Sequence, residues 1–216
     1  MASIDLYSLL LVAVALASSA PLAAVAGDPD ILTDFVPPAA IGGQITGDYF
    51  TFTGFQPKLP VPLPATNFTV SKASMAEFPA LNGQSVSYAR LTFPAGTVNP
   101  THTHPRAAEL LLVLEGGLSV GFVDTAGKLY TKDLVAGDMF VFPKGLVHYQ
   151  SNLQGTQTAT ALSAFGSASA GTVSVPVTVF GTDIDDAVLA KSFKTDVATV
   201  QKLKAALTPP PPKKNP

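Results

Sequence analysis

The amino-acid sequence predicts an all-β domain, an antiparallel β-barrel or jelly roll, followed by C-terminal α-helices. Short apolar and β-branched runs recur at regular spacing through the middle of the chain, and Gly116-Gly117 and Ala126-Gly127 between them are hairpin turn signals. Beyond residue 180 the apolar residues change to near-helical spacing. A length of 216 residues suits one β domain with short extensions.

The composition is that of an ordinary globular protein and excludes one class of partner. Hydrophobic residues make up 47% of the chain, charged residues 13%, and the formal net charge is −2. No basic stripe is present, so the sequence indicates no nucleic-acid binding.

The N-terminal residues 1–26 are predicted to be a signal peptide. An apolar run over residues 6–17 is broken by Ser18, Ser19 and Pro21, and small residues lead to a cleavage point after Ala26. The run is well short of the ~20 residues that a spanning helix needs, and no later segment looks transmembrane. We therefore expect a secreted protein.

Residues 27–69 are predicted to form an N-terminal arm and loops. Residues 28–38 are acidic and proline-bearing, and residues 49–53 alternate aromatic and polar side chains as a short strand does. Residues 58–64 are an extended loop, because their prolines exclude a helix interior or a central strand. Asn67 begins the sequon Asn-Phe-Thr, which predicts N-glycosylation in a secreted chain.

Residues 70–180 are predicted to form the barrel and residues 181–208 the helices. The predicted strands are 70–73, 86–93, 109–114, 118–123, 129–134, 139–142, 147–150, 159–165 and 173–177. The predicted helices are 183–192 and 196–207, with Thr182 and Thr195 as N-caps. Residues 209–216 are rich in proline and lysine and predict a solvated tail, whose lysines could contact anionic cell-wall polymers.

The three histidines of the chain predict a metal site. His102 and His104 alternate along one extended segment, so both imidazoles project to the same side. Pro105 marks a bulge or break that brings Glu109 to that side, and His148 follows a downstream turn. Each histidine alone could be a hydrogen-bonded structural residue, but a carboxylate heading an apolar strand needs a partner.

Three imidazoles and one carboxylate suit manganese, iron, nickel, copper or zinc better than calcium or magnesium. No cysteine occurs in the chain, so no thiolate is available and the fold cannot use disulfides. In octahedral geometry four protein ligands leave two positions for water, dioxygen species or a small substrate, as in a catalytic site.

The stretches GTVNPTHTHPRAAELLLVLEG and GDMFVFPKGLVHYQSN closely resemble the paired motifs of the cupin superfamily, in the form found in plant germins and germin-like proteins. The resemblance implies a cupin β-barrel that holds manganese through His102, His104, Glu109 and His148. It also implies a secreted, glycosylated homohexamer, a trimer of dimers, in the apoplast or cell wall. Val36 stands about where many germins have the first cysteine of an N-terminal disulfide.

The resemblance leaves several functions open. Superoxide dismutation asks for an open coordination position, a proton supply and suitable ligands, and we expect this activity. Oxalate oxidation, known for true germins, uses two asparagines near the substrate. Asn99 matches one, and could instead position a metal-bound water, whereas the other position is Ala89, which cannot donate a hydrogen bond. The remaining alternatives are a non-enzymatic cell-wall or auxin-type binding protein and a storage protein, although an intact metal quartet argues against storage.

Overall fold

The computed structural model describes residues 27–37, 45–56 and 66–207 of the chain. Three predictions lie outside these residues: the signal peptide at 1–26, the extended loop at 58–64 and the tail at 209–216. The assignment of residues 27–69, 70–180 and 181–208 to an arm, a barrel and a helical region stays a prediction.

Within the described residues, ten strands form two five-stranded sheets in which every pairing is antiparallel. The first sheet has the order β1-β2-β9-β4-β7 and the second β10-β3-β8-β5-β6. The strands are β1 Thr69–Ala73, β2 Ser87–Phe93, β3 Val98–Thr103, β4 Glu109–Glu115, β5 Gly117–Val123, β6 Leu129–Val135, β7 Met139–Phe142, β8 His148–Ser151, β9 Ala159–Phe165 and β10 Val173–Ser174. This is a jelly roll, and the predicted all-β class with C-terminal helices is confirmed.

The apolar core lies between the two sheets because the strands alternate buried and outward-facing residues. In β4, Leu111 and Val113 are buried, whereas Leu110 is exposed. Leu111 and Val113 pack in one cluster with Leu118 and Val120 of β5 in the other sheet. A period of two along each strand therefore directs one set of side chains to the core.

The predicted strand at 173–177 is wrong beyond its second residue. Only Val173–Ser174 pair as a strand, and the chain then forms helix α1, Val175–Phe180. Pro176 favours the change, because it has no N–H to donate to a strand pairing and is well tolerated in the first turn of a helix.

The predicted strand at 49–53 is also wrong. Gly47–Phe50 form a 3-10 helix whose N-cap, Thr46, accepts a hydrogen bond from the backbone N–H of Asp48. The aromatic side chains pack on each other instead of on a sheet: the Tyr49 and Phe50 rings lie 5.0 Å apart, and Phe35 contacts both. Local aromatic contacts and a cap outweigh the alternation that predicted a strand.

The C-terminal helices α2, Asp186–Ser192, and α3, Val197–Leu207, occupy the two predicted helical segments. Their caps differ from the prediction, since Asp185 accepts from two backbone N–H groups of α2 and Asp196 accepts from the N–H of Thr199. Each helix is therefore capped by an aspartate, which lies three residues after Thr182 for α2 and one residue after Thr195 for α3. Among the described residues, no helix is long and apolar enough to cross a membrane.

Candidate metal centre

The four predicted ligands come from both sheets and meet in the interior. His102 in β3 is the register partner of His148, the first residue of β8 in the same sheet. His104 follows β3 directly, and the break at Pro105 carries the chain to Glu109, the first residue of β4 in the other sheet. All four side chains are buried, and their candidate ligand atoms lie within 4.8 Å of one another.

Backbone carbonyls orient all three imidazoles. Nδ1 of His102 lies 2.7 Å from the carbonyl oxygen of Pro100, and Nδ1 of His148 lies 2.9 Å from that of Leu146. Nδ1 of His104 contacts the carbonyl oxygen of Gly171 at 2.5 Å. A carbonyl can only accept, so each Nδ1 carries the hydrogen and each Nε2 keeps its lone pair for a metal.

Glu109 presents its two oxygens to different partners. Oε2 lies 3.0 Å from Nε2 of His104 and 3.1 Å from Nε2 of His148. Oε1 accepts hydrogen bonds from Ser163 Oγ at 2.6 Å and Gln150 Nε2 at 3.1 Å. One oxygen is thus held by the protein, and the other faces the histidines.

The chemistry of this donor set fits a cation. With the Nδ1 hydrogens donated to carbonyls, the Nε2 lone pairs of His104 and His148 face Oε2 of Glu109 with no hydrogen between them unless the rings are charged. Buried lone pairs that face each other are unfavourable, and a cation among them satisfies all of them. Imidazoles with one carboxylate suit a divalent transition metal.

The protonation states also suit metal binding. Burial and, to a smaller extent, the nearby His148 together lower the pKa of His102 from its ordinary 6.5 to about 4. Burial acts to raise the pKa of Glu109, but the hydrogen bonds that His104 and His148 donate to it when their rings carry both hydrogens outweigh burial and lower this pKa from 4.5 to about 2. His102 is therefore neutral and Glu109 ionised at pH 7, as ligands must be.

A cavity of about 190 Å³ borders the cluster and reaches the surface. Its lining combines His102, His104 and Glu109 with apolar side chains and a few polar ones. Lys72 is the only lysine or arginine among the described residues that line it. The other lining residues that matter for the chemistry are Phe68, Ala89, Leu91, Asn99 and Phe165.

Comparison with known proteins assigns the chain to a family. The family model described as Cupin matches residues 58–201. Germin-like protein 9-3 of Oryza sativa subsp. japonica is 70% identical over 209 residues, which cover 94% of this chain and 97% of that protein. The chain is a germin-like protein of the cupin family. The resemblance inferred from the two histidine motifs is confirmed.

Solved structures extend the likeness of this germin-like chain to its fold. A structure of oxalate oxidase is 33% identical with a TM-score of 0.73, and the match covers 83% of this chain and 98% of that one. Oxalate oxidase in complex with the substrate analogue glycolate is 32% identical with a TM-score of 0.74, over the same shares of both chains.

The germin-like chain brings together every residue of the predicted ligand set, as a candidate metal site. Asn99 lines the same cavity, and its Nδ2 donates to Oε1 of Gln150 at 2.7 Å. Asn67 is exposed just before β1, and its glycosylation stays a prediction.

Sequence reasoning missed Gln150 and Ser163, the two residues that hold Oε1 of Glu109. Gln150 could have been predicted from the sequence, because it lies two residues beyond His148 on the same strand and so points to the same face. Ser163 could not have been predicted, since its approach to Glu109 depends on the register of β9 against β4, in which Ser163 pairs with Leu111. Nothing in the local sequence specifies that register.

Proposed function

We propose that this germin-like chain is a secreted manganese protein of the apoplast that dismutates superoxide. The observation that carries the proposal is the buried cluster of three histidines and one glutamate at the wall of a cavity that reaches the surface. A bound manganese ion would supply one-electron chemistry by alternating between two oxidation states. The net reaction converts two superoxide ions and two protons into hydrogen peroxide and dioxygen.

The residues of the chain contribute orientation and electrostatics to this reaction. The carbonyls behind the three imidazoles fix the tautomer, and Gln150 and Ser163 fix the carboxylate, so the ligands are arranged before an ion binds. Asn99 extends the hydrogen-bond chain from Glu109 through Gln150 to the cavity wall. Lys72 places a positive charge beside the cavity, which favours the entry of a small anion.

Oxalate oxidation is the second candidate, favoured by the match to oxalate oxidase structures. The cavity argues against it at one position. Ala89 is buried and lines the cavity, where the resemblance to germins leads us to expect an asparagine. A site that recognises a carboxylate by hydrogen bonds loses much when a donor is replaced by a methyl group.

The first experiment is metal analysis of the purified secreted protein together with superoxide and oxalate assays on the same preparation. We expect manganese near one per subunit, superoxide activity and no oxalate turnover. His104→Ala should remove both the metal and the activity. A fully loaded protein inactive in both assays would favour the binding class, including cell-wall or auxin-type ligands, and a wild type without metal would refute the site.

Ala89→Asn separates the two enzymatic candidates. It adds the missing amide to the cavity wall, so we expect oxalate turnover to appear or rise while metal content stays the same. Oxalate turnover by the wild type would show instead that Asn99 suffices, and the first candidate would then be wrong.

We further propose a homohexamer, a trimer of dimers, as germins imply. The outer face of the first sheet supports association between copies, because it exposes a band of apolar side chains on the neighbouring strands β4 and β7. These are Leu110, Leu114, Met139 and Val141, each 41–56% exposed.

Secretion predicts a glycan at the exposed Asn67, which Asn67→Gln should remove with no effect on metal content.

A further inference from the structure

The segment between β9 and β10, residues 167–171, connects the N-terminal arm to the metal cluster. At its far end the carbonyl oxygen of Gly171 accepts from Nδ1 of His104, and Ser169, Ala170 and Gly171 line the cavity. Gly171 has a φ of +72°, and a Cβ at this position would lie 2.8 Å from the guanidinium of Arg106. This carbonyl therefore reaches His104 through a backbone conformation that favours glycine.

Arg106 holds the middle of the segment. Its backbone N–H donates to the carbonyl oxygen of Ala170 at 3.1 Å, and its Nη2 donates to Oγ of Ser169 at 3.1 Å. Its Nε also donates to the carbonyl oxygen of Ser169. Arg106 lies two residues after His104, so the ligand and the segment behind it are tied together locally.

Asp28 of the N-terminal arm holds the start of the segment. Its carboxylate accepts from Oγ of Ser167 at 2.5 Å and from the backbone N–H of Ala168 at 2.6 Å, and both of these residues are buried. The backbone N–H of Asp28 donates to Oγ of Ser85 at 3.0 Å. Hydrogen bonds to an ionised carboxylate are about twice as strong as neutral ones, so this is a firm attachment for a residue 139 positions away in sequence.

We propose that Asp28 is a positioning residue for the metal ligand His104, acting through residues 167–171. The carboxylate fixes the start of the segment, Arg106 fixes its middle, and the Gly171 carbonyl at its end sets the tautomer and the ring direction of His104. The proposal rests on the metal site of the proposed function and is independent of the reaction that the site performs. It gives the N-terminal arm a role in metal binding that no ligand motif reveals.

The test compares Asp28→Asn with Asp34→Asn in the full-length processed protein. Both substitutions remove one negative charge from the arm, but the side chain of Asp34 is exposed and has no hydrogen bond to other described residues. Three quantities are measured on each variant: the manganese dissociation constant of the metal-free protein, the Mn(II) electron paramagnetic resonance spectrum, and the thermal midpoint.

We expect Asp28→Asn to weaken manganese binding about 10-fold and to change the Mn(II) spectrum, as loss of support behind a metal ligand does. Asp34→Asn should match the wild type. Ser167→Ala, which removes one of the two hydrogen bonds to Asp28, should shift the same quantities in the same direction by a smaller amount. Ser167→Ala therefore tests the same positioning role if Asp28→Asn does not fold.

Two results would overturn the proposal, and they are distinguishable. A lower thermal midpoint with unchanged manganese affinity and spectrum in both variants would mean that Asp28 only anchors the arm. Absence of manganese binding by the wild type would refute the proposed metal site itself, and with it any positioning role.

Discussion

At the scale of single residues, Glu109 shows how a buried carboxylate can be prepared for one ligand bond. Ser163 and Gln150 hold Oε1, so rotation of the carboxylate is opposed and Oε2 stays directed to His104 and His148. Ser163 makes the shorter of these two hydrogen bonds, at 2.6 Å, and is fully buried.

We predict that Ser163→Ala weakens manganese binding about 10-fold, because Glu109 loses a donor that fixes its orientation. Isothermal titration of the metal-free protein measures this directly. Ser151→Ala is the matched control, since Ser151 is also buried on a strand but donates to the carbonyl of Ser119. Equal affinities of the two variants would contradict the prediction.

The metal-free protein is predicted to lose stability on acidification. The pKa of His102 is about 4 in the folded protein and ordinarily 6.5, so the unfolded chain binds more protons between these values. Stability therefore falls as the pH falls from 6.5 to 4, by up to about 3 kcal/mol. Glu109 extends the loss from pH 4.5 to about 2, because its folded pKa is also the lower one.

Urea unfolding of the metal-free protein at several pH values between 7 and 4 checks this prediction. His102→Asn should show a flatter dependence of the unfolding midpoint on pH, since it lacks the titrating ring. A wild-type midpoint that does not change over this range would refute the assignment of a depressed pKa to His102.

At the scale of elements, the break between β3 and β4 brings the ligands together. The chain leaves one sheet after Thr103 and enters the other at Glu109, so residues five positions apart can approach the same ion from opposite layers. This break could be predicted from the sequence, because Pro105 is followed by alternating apolar residues. The strands whose alternation faces a core were equally readable, since burial enforces a period of two.

What sequence could not supply depends on contacts between distant segments. The aromatic alternation at residues 49–53 was compatible with a strand, but a strand needs a partner, and Tyr49 and Phe50 pack against Phe35. Gln150 and Ser163 show the same limit within the site: one shares a strand with a ligand, and the other reaches Glu109 only through the pairing of β9 with β4. Register across a sheet is a long-range property.

The helix cap at Asp185 provides a prediction at this scale. Its carboxylate accepts from the backbone N–H groups of Ala187 and Val188. Asp185→Ala should lower the free energy of unfolding by about 1 kcal/mol, the usual cost of losing an N-cap. Asp183→Ala, whose exposed side chain has no hydrogen bond to other described residues, should change it little, and thermal unfolding of both variants distinguishes a cap from a general charge effect.

At the scale of the whole molecule, the apolar outer face of the first sheet points to contact between copies. Leu110 in β4 is the register partner of Val141 in β7, and both side chains are exposed. An exposed apolar area that continues across neighbouring strands is typical of an interaction surface.

We predict that Leu110→Glu reduces the proposed hexamer to smaller species, because it places a charge in the proposed apolar contact. Light scattering coupled to size-exclusion chromatography measures the mass. Val135→Glu in β6 is the control, since Val135 is 64% exposed but belongs to the other sheet. A wild-type monomer, or equal masses of the two variants, would exclude this face as the contact.

The ligands lie on both layers of the jelly roll: His102 and His148 in one sheet and Glu109 in the other. An ion bound by all of them would join the layers much as a covalent cross-link does. Removing it should therefore speed amide hydrogen exchange in β3, β8 and β4 together, although β4 has no hydrogen-bonded partner in the sheet of the histidines. The exchange pattern of the metal-free protein would thus trace the path by which the two layers separate.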